Sequence, residues 1–179
     1  VCNLPKRIAH SHKGTFGRVV VIAGCDTMSG ACFLSAKAAY RMGAGLVHVV
    51  STPSNRDTLL SALPEILFST REEIKKVLPL ASAVVIGPGI GLSKQSEELV
   101  EYVLANTKVP TVVDGDAITI CAKKDITFRD NFVLTPHVKE MSVLTGIPIP
   151  KLQEDILGTT KNTAKTNMCG GITWKTSSS

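Results

Sequence analysis

The residues best placed to do chemistry are glycines, paired aspartates and a histidine, each directly following a short apolar run. Gly24-Cys25-Asp26-Thr27-Met28-Ser29-Gly30-Ala31 follows the run at 19–23, and Gly87-Pro88-Gly89-Ile90-Gly91 follows the run at 83–86. Alternate glycines carry no Cβ, so backbone N–H groups stay uncovered and can pack against a phosphate or a flat ring. The second string is not a P-loop, because no Gly-Lys-Ser/Thr follows, and its glycine spacing is not that of a dinucleotide fingerprint. In the first, the small Ala31 leaves room for a ligand at a helix end. The same string also reads as an ordinary strand-to-helix loop with Ser29 as N-cap. Asp114-Gly115-Asp116 could hold Mg²⁺ through water or orient a sugar hydroxyl, one carboxylate capping a helix that starts near Ala117 and the other meeting the ligand. His137 in Thr135-Pro136-His137 stands at a first helical turn with Glu140 on the same face, placed to hydrogen-bond a ligand or to be a plain surface residue.

These groups need a scaffold that presents strand ends together. Runs at 19–23, 46–50, 83–86, 111–113 and 132–134 are continuously apolar and rich in β-branched residues, the pattern of strands covered on both faces. Helical spacing separates them at 31–42, 72–78, 95–104 and 137–144, with Gly43 and Gly45 closing the first helix. Alternation of strand and helix predicts an α/β fold with a parallel sheet, whose ligands lie at the carboxyl ends of the strands. Residues 147–150 read as a linker, 151–168 as one helix interrupted at Gly158, and 173–176 as a short strand before a serine tail. One domain, 1–179, is expected.

Composition narrows the functional classes. The chain has 179 residues, 44% hydrophobic and 20% charged, which excludes disorder. Aromatic content of 4% leaves few rings for stacking on single-stranded nucleic acid, and the excess of 20 basic over 15 acidic residues is scattered rather than clustered. No nucleic-acid partner is therefore expected. Five cysteines, with no Cys-x-x-Cys pair, indicate neither a disulfide framework nor a zinc site. No run is long enough to span a bilayer, so a cytoplasmic protein without a membrane partner is expected. His48 reads as a satisfied core or edge residue. His10 and His12 precede a polar glycine turn, and no Ser-His-Asp or Cys-His arrangement stands in a nucleophile-elbow context.

Taken in order, His12-Lys13-Gly14-Thr15-Phe16-Gly17, the 23–31 loop, Arg41-Met42-Gly43-Ala44-Gly45-Leu46-Val47, Gly87-Pro88-Gly89-Ile90-Gly91, Val113-Asp114-Gly115-Asp116-Ala117 and Leu134-Thr135-Pro136-His137 with Glu140-Met141 resemble the ADP- or ATP-dependent NAD(P)H-hydrate dehydratases. These form the carbohydrate-kinase-like C-terminal module of nicotinamide-nucleotide repair proteins. The resemblance implies a ribokinase-like three-layer sandwich with a mostly parallel central sheet. It implies a lyase that takes NADHX or NADPHX, the nicotinamide nucleotides hydrated at C6, and returns them to NADH or NADPH with ADP or ATP as co-substrate and Mg²⁺ assisting. Phosphorylating the hydroxyl would turn a poor leaving group into a good one. Carried over by position, Ala31, Gly89 and His137 would contact the hydrated nucleotide, and Gly87, Gly91, Asp114 and Asp116 would line the same cleft.

The resemblance also sets expectations by what does not match. The family's Lys-Gly/Asp-x-x-Thr nucleotide strand and its Gly-Gly-x-Gly-Asp segment, with the catalytic Asp, have no counterpart: Gly170-Gly171 is followed by Ile172-Thr173-Trp174, and no carboxylate follows Asp155. The fold is accordingly expected to be incomplete at the C-terminus, with no catalytic residue identified, an exposed sheet edge and apolar face, a tendency to homo-oligomerise, and little or no turnover by this chain alone. A ribokinase-like kinase of a small alcohol such as a vitamin precursor, or a non-catalytic nucleotide-binding fragment, are the other readings.

Overall fold

The computed structural model describes residues 16–166 and 171–172. Strands β1 (Arg18–Ile22), β2 (Leu46–Ser51), β3 (Leu67–Thr70), β4 (Ala83–Ile86), β5 (Thr111–Val113), β6 (Phe132–Leu134) and β7 (Gly171–Ile172) form one sheet in the order β3-β2-β1-β4-β5-β6-β7. Every pairing in it is parallel. All strands therefore deliver their carboxyl ends to one rim. Helices α1 (Ser29–Arg41), α2 (Arg56–Ala62), α3 (Ile74–Val77), α4 (Lys94–Asn106), α5 (Asp116–Lys123), α6 (Val138–Thr145), α7 (Ile149–Glu154) and α8 (Ile156–Thr166) fill the crossovers.

Strand alternation sorts the apolar side chains into two layers. Val20, Ile22, Val84, Ile86, Val113, Phe132 and Leu134 pack with Leu99, Val100 and Val103 of α4 and with Ile118 and Ile120 of α5. On the opposite face Val21, Val47 and Val49 pack with Cys32 and Ala36 of α1 and Leu59 of α2. This second layer stops at α1. Beyond it Val85, Val112 and Val133 are only half-buried and floor an open groove of about 560 Å³, walled by Ala38 and Met42 of α1.

Several local expectations are corrected. β3 and α2 were not legible, because β3 is a four-residue edge strand without a continuous apolar run. Residues 72–78 hold only one turn of α-helix, between 3-10 turns at Arg71–Glu73 and Leu78–Leu80. The segment after 146 is two helices rather than a linker and one helix. Pro148 and Pro150 sit at the start of α7, where a missing N–H costs nothing. The break falls at Asp155, whose carboxylate accepts the Gly158 N–H at 2.8 Å, so Gly158 belongs to a capped helix start. The end of the 151–168 helix, the 12–15 turn, His10, Cys169, Gly170 and the 173–176 strand lie outside the described residues. Among those described, Cys25, Cys32 and Cys121 are free, and no helix is long and apolar enough to cross a membrane.

His48 is buried in β2 and only half satisfied: Nε2 lies 3.1 Å from Ser69 Oγ, while Nδ1 has no partner. Burial, with Arg18 adding to it, holds its pKa below the ordinary value of 6.5. The unfolded chain takes up a proton near pH 6.5 that the folded chain refuses, so stability falls on acidification through and below that value. Asp26 and Glu72, held below their ordinary 3.8 and 4.5 by the Ser54 and Thr70 hydroxyls, act only at lower pH. Thermal melts between about pH 7.5 and about pH 5.5 are expected to show a falling Tm that His48→Gln flattens. An equal fall in the variant would clear His48 of the effect.

Candidate functional site

The chain leaves β1 toward β2 and β3 on one side, and returns to β4, β5 and β6 on the other, so the strand order reverses between β1 and β4. α1 then runs back over one face and α4 over the other, so the loops at 24–28 and 87–93 meet at this reversal, the place where open parallel sheets take their ligands. Strand order is invisible in a single sequence, yet both glycine strings chosen for their chemistry flank this reversal.

The 87–91 loop is the hub. Gly87 adopts φ +118°, and a Cβ there would strike the Asp114 carbonyl and the Ala117 side chain. Gly89 adopts φ +60°, and its Cβ would stand 2.9 Å from Met28 Cβ and 3.0 Å from Ala31 Cβ. On one flank the Gly24 N–H donates to the Pro88 carbonyl at 2.9 Å, and on the other the Gly91 N–H donates to Asp116 Oδ2 at 2.9 Å. Gly24, Ala31, Gly87, Gly89, Gly91, Asp114 and Asp116 are thus linked by neighbouring contacts across the ends of β1, β4 and β5, with Gly24 and Gly87 themselves buried. Ser29 is not the N-cap of α1: that position is Met28, without a side-chain cap, and the first turn holds no acidic residue. The positive end of α1 therefore faces the reversal without a compensating carboxylate of its own.

The carbonyls of the 24–28 loop are held from behind by groups that sequence reasoning missed. Buried Ser51 Oγ donates to the Ala23 carbonyl at 2.7 Å, and Asn55 Nδ2 to the Cys25 carbonyl at 3.1 Å. Arg71, just past β3, donates to the Gly24 and Ile90 carbonyls. Its only sequence signal was a basic residue after a strand that was itself not seen. Cys32 and Cys121 are pushed up by burial to about 11 and about 12, so they serve packing rather than nucleophilic chemistry.

Neither aspartate stands at the N-cap position of α5. Its N-cap is Gly115, with no side-chain cap, and the Asp116 carboxylate instead ties the β5 end to Gly91. His137 is the N-cap of α6, on the same rim two strands from β4, a separation of about 10 Å. Its Nδ1 accepts the Glu140 N–H at 3.1 Å, and Glu140 Oε2 accepts the His137 N–H at 2.8 Å, a closed capping box. That places the ring hydrogen on Nε2, 3.2 Å from Glu140 Oε1. Among the described residues no three His, Cys, Asp or Glu side chains gather as a metal cluster; Mg²⁺ in nucleotide sites needs only one or two carboxylates beside the phosphates, and Asp114 and Asp116 at the end of β5 are carboxylates that could supply them.

Gly87→Ala forces both a left-handed backbone and a clash with backbone atoms, and is expected to cost at least ~3 kcal/mol, roughly 6–12 °C in Tm. Gly89→Ala meets the Met28 and Ala31 Cβ atoms and, at 3.4 Å, the Met28 carbonyl, a milder clash than at Gly87, and is expected to cost about 2 kcal/mol, less than Gly87→Ala. Thermal melts of the two variants check the order, and equal stability of Gly87→Ala and the parent chain would contradict it.

Comparison with known proteins agrees with this architecture. A bifunctional NAD(P)H-hydrate repair enzyme Nnr of Coxiella burnetii is 39% identical over 155 residues, covering 85% of this chain and 31% of the relative. An ADP-dependent (S)-NAD(P)H-hydrate dehydratase of Staphylococcus aureus is 36% identical over 153 residues, covering 82% and 55%. The chain thus spans about half or less of the length of these relatives. A ribokinase-like superfamily protein of Enterococcus faecalis superposes with TM-score 0.87 at 30% identity, covering 96% of this chain and 61% of that one. The ADP/ATP-dependent NAD(P)H-hydrate dehydratase of Bacillus subtilis, co-crystallised with ATP/Mg²⁺, superposes at 0.83 with 28% identity, covering 97% and 62%. The parallel α/β sandwich is therefore ribokinase-like, and since the NAD(P)H-hydrate dehydratase family profile matches residues 19–173, this chain belongs to that family.

Proposed function

We propose that the crevice between the β1–α1 and β4–α4 loops receives NADHX or NADPHX, and that the protein serves ADP- or ATP-dependent dehydration of this substrate to NADH or NADPH. The observation that carries the reading is the seating of Gly89 against Met28 and Ala31 at the strand-order reversal, beside the uncapped start of α1. A dinucleotide needs donors for its pyrophosphate and a flat surface for its ring. Helix-start N–H groups supply the first, and a loop without Cβ atoms supplies the second.

In this reading Ala31 and Gly89 form the wall that the nucleotide lies against, and His137 borders it from the end of β6. Gly87, Gly91, Asp114 and Asp116 act as the frame, since Asp116 is already committed to the Gly91 N–H. The hydrated ring carries a hydroxyl whose departure as hydroxide is difficult; phosphoryl transfer from the nucleotide makes the leaving group phosphate. The described residues supply the binding and orientation half of this chemistry. The free thiols are consistent with a reducing cytoplasm, and the open apolar groove is consistent with self-association.

Calorimetric titration of the 179-residue chain with NADPHX, with and without ADP or ATP, tests the reading alongside recovery of dihydronicotinamide absorbance. Binding is expected, with little or no nucleotide-dependent recovery by this chain alone, and His137→Ala is expected to weaken binding about tenfold, the equivalent of one lost hydrogen bond. A folded chain that binds no NADPHX would sink the proposal.

A further inference from the structure

Arg71 stands on a backbone fixed by its neighbours: Thr70 ends β3, and the Thr70 N–H donates to Glu73 Oε2 at 2.9 Å within a capping box. From there the side chain reaches across the rim to the strand-order reversal. Nη2 donates to the Gly24 carbonyl at 2.7 Å and to the Ile90 carbonyl at 2.8 Å. Nη1 donates to Ser96 Oγ at 3.1 Å, and that hydroxyl donates in turn to the Ile90 carbonyl at 2.8 Å. One planar group therefore touches both glycine loops and the first turn of α4.

Two features set this apart from an ordinary surface arginine. Nε is buried without a partner, and among the described residues Arg71 makes no ion pair, so its charge is spent on carbonyl oxygens rather than a carboxylate. Burial lowers its pKa, the mark of a charge withdrawn from water. Keeping a guanidinium there is unfavourable unless its hydrogen bonds are well made. The bonds it makes tie together two segments that also meet through the Gly24–Pro88 hydrogen bond and the close approach of Gly89 to Met28 and Ala31. A lysine has one ammonium on a flexible stem and lacks the flat fork that can span three acceptors in fixed geometry.

We propose that Arg71 is a positioning residue, which sets the separation and tilt of the 24–28 and 87–91 loops by donating from one guanidinium to both, and so shapes the crevice for the dinucleotide. The proposal rests on the substrate reading above for its functional consequence, and on the loop geometry alone for its structural one. Asp26 and Glu72 stand near enough to favour the charge without pairing with it, so the hydrogen bonds of the guanidinium go to the loops.

The test compares parent, Arg71→Gln and Arg71→Lys chains by NADPH titration and by amide hydrogen exchange resolved to residues 23–31, 87–93 and 138–145. Arg71→Gln is expected to raise the Kd for NADPH at least about tenfold and to speed exchange in both glycine loops while leaving α6 unchanged. Arg71→Lys is expected to recover less than about a third of the lost affinity, because charge without the fork does not restore the span. A folded Arg71→Gln chain with Kd within about twofold of the parent, or exchange faster everywhere alike, would overturn the proposal. Should Arg71→Gln fail to fold, Arg71→Lys decides: affinity within about twofold of the parent overturns it, and a loss of about fivefold or more supports it. If the parent itself binds no NADPH, the substrate reading fails, and loop-specific exchange still settles the positioning role.

Discussion

Everything at the rim depends on backbone meeting backbone without side chains between. At Gly87 the loop after β4 presses against the Asp114 carbonyl, and at Gly89 it presses against Met28 and Ala31. A Cβ at either place would separate layers that the parallel sheet has already brought into register through Ile22, Ile86 and Val113. The sheet fixes where the strand ends are, about 4.8 Å apart, and the missing side chains let the loops close over that spacing. Packing below and absence above are two halves of one constraint. A wider loop would also lose the Gly24–Pro88 and Gly91–Asp116 bonds that hold its flanks.

Closing the loops creates a second problem, because their carbonyls turn away from water. Ala23, Gly24, Cys25 and Ile90 each present an oxygen toward the interior, and each is met by a polar side chain from another element: Ser51, Asn55, Arg71 or Ser96. Buried acceptors left unpaired would cost on the order of 1–3 kcal/mol each. Meeting them with side chains rather than solvent fixes the loops before any ligand arrives. The Gly24, Met28, Gly87, Ile90 and Gly91 N–H groups are themselves bonded within the rim, so the donors offered to a ligand are those of the first turn of α1, which has no side-chain cap.

The sequence carried some of this and withheld the rest for physical reasons. Continuous apolar runs located β1, β2, β4, β5 and β6, because a strand buried on both faces must be apolar at every position. The glycine strings were legible because only glycine tolerates what their turns demand. β3 was not, since an edge strand of mixed polarity has no such signature, and with it went Arg71. Strand order was out of reach: nothing in the runs at 19–23 and 83–86 says that they are neighbours. The aspartates show the same limit. A carboxylate before a helix reads as a cap, yet Asp116 spends its oxygen on Gly91, twenty-five positions away, because β4 and β5 happen to be adjacent.

His137 shows how a structural role and a binding role can share one side chain. Its Nδ1 completes the N-terminus of α6, so the ring cannot rotate without uncovering the Glu140 N–H. Nε2 faces Glu140 Oε1 at 3.2 Å, with the imidazole about half exposed and the carboxylate nearly buried. The hydrogen on Nε2 is therefore already engaged, and an incoming ligand oxygen must compete with Glu140 for it. The competition is not lost in advance. Glu140 keeps its second oxygen on the His137 N–H, so yielding one contact does not strip it of partners. The capping box holds the ring at the rim at a fixed angle, and the weaker of its contacts is the one a ligand can displace. A histidine pinned this way gives orientation without being locked out of binding, which a freely rotating surface imidazole could not do.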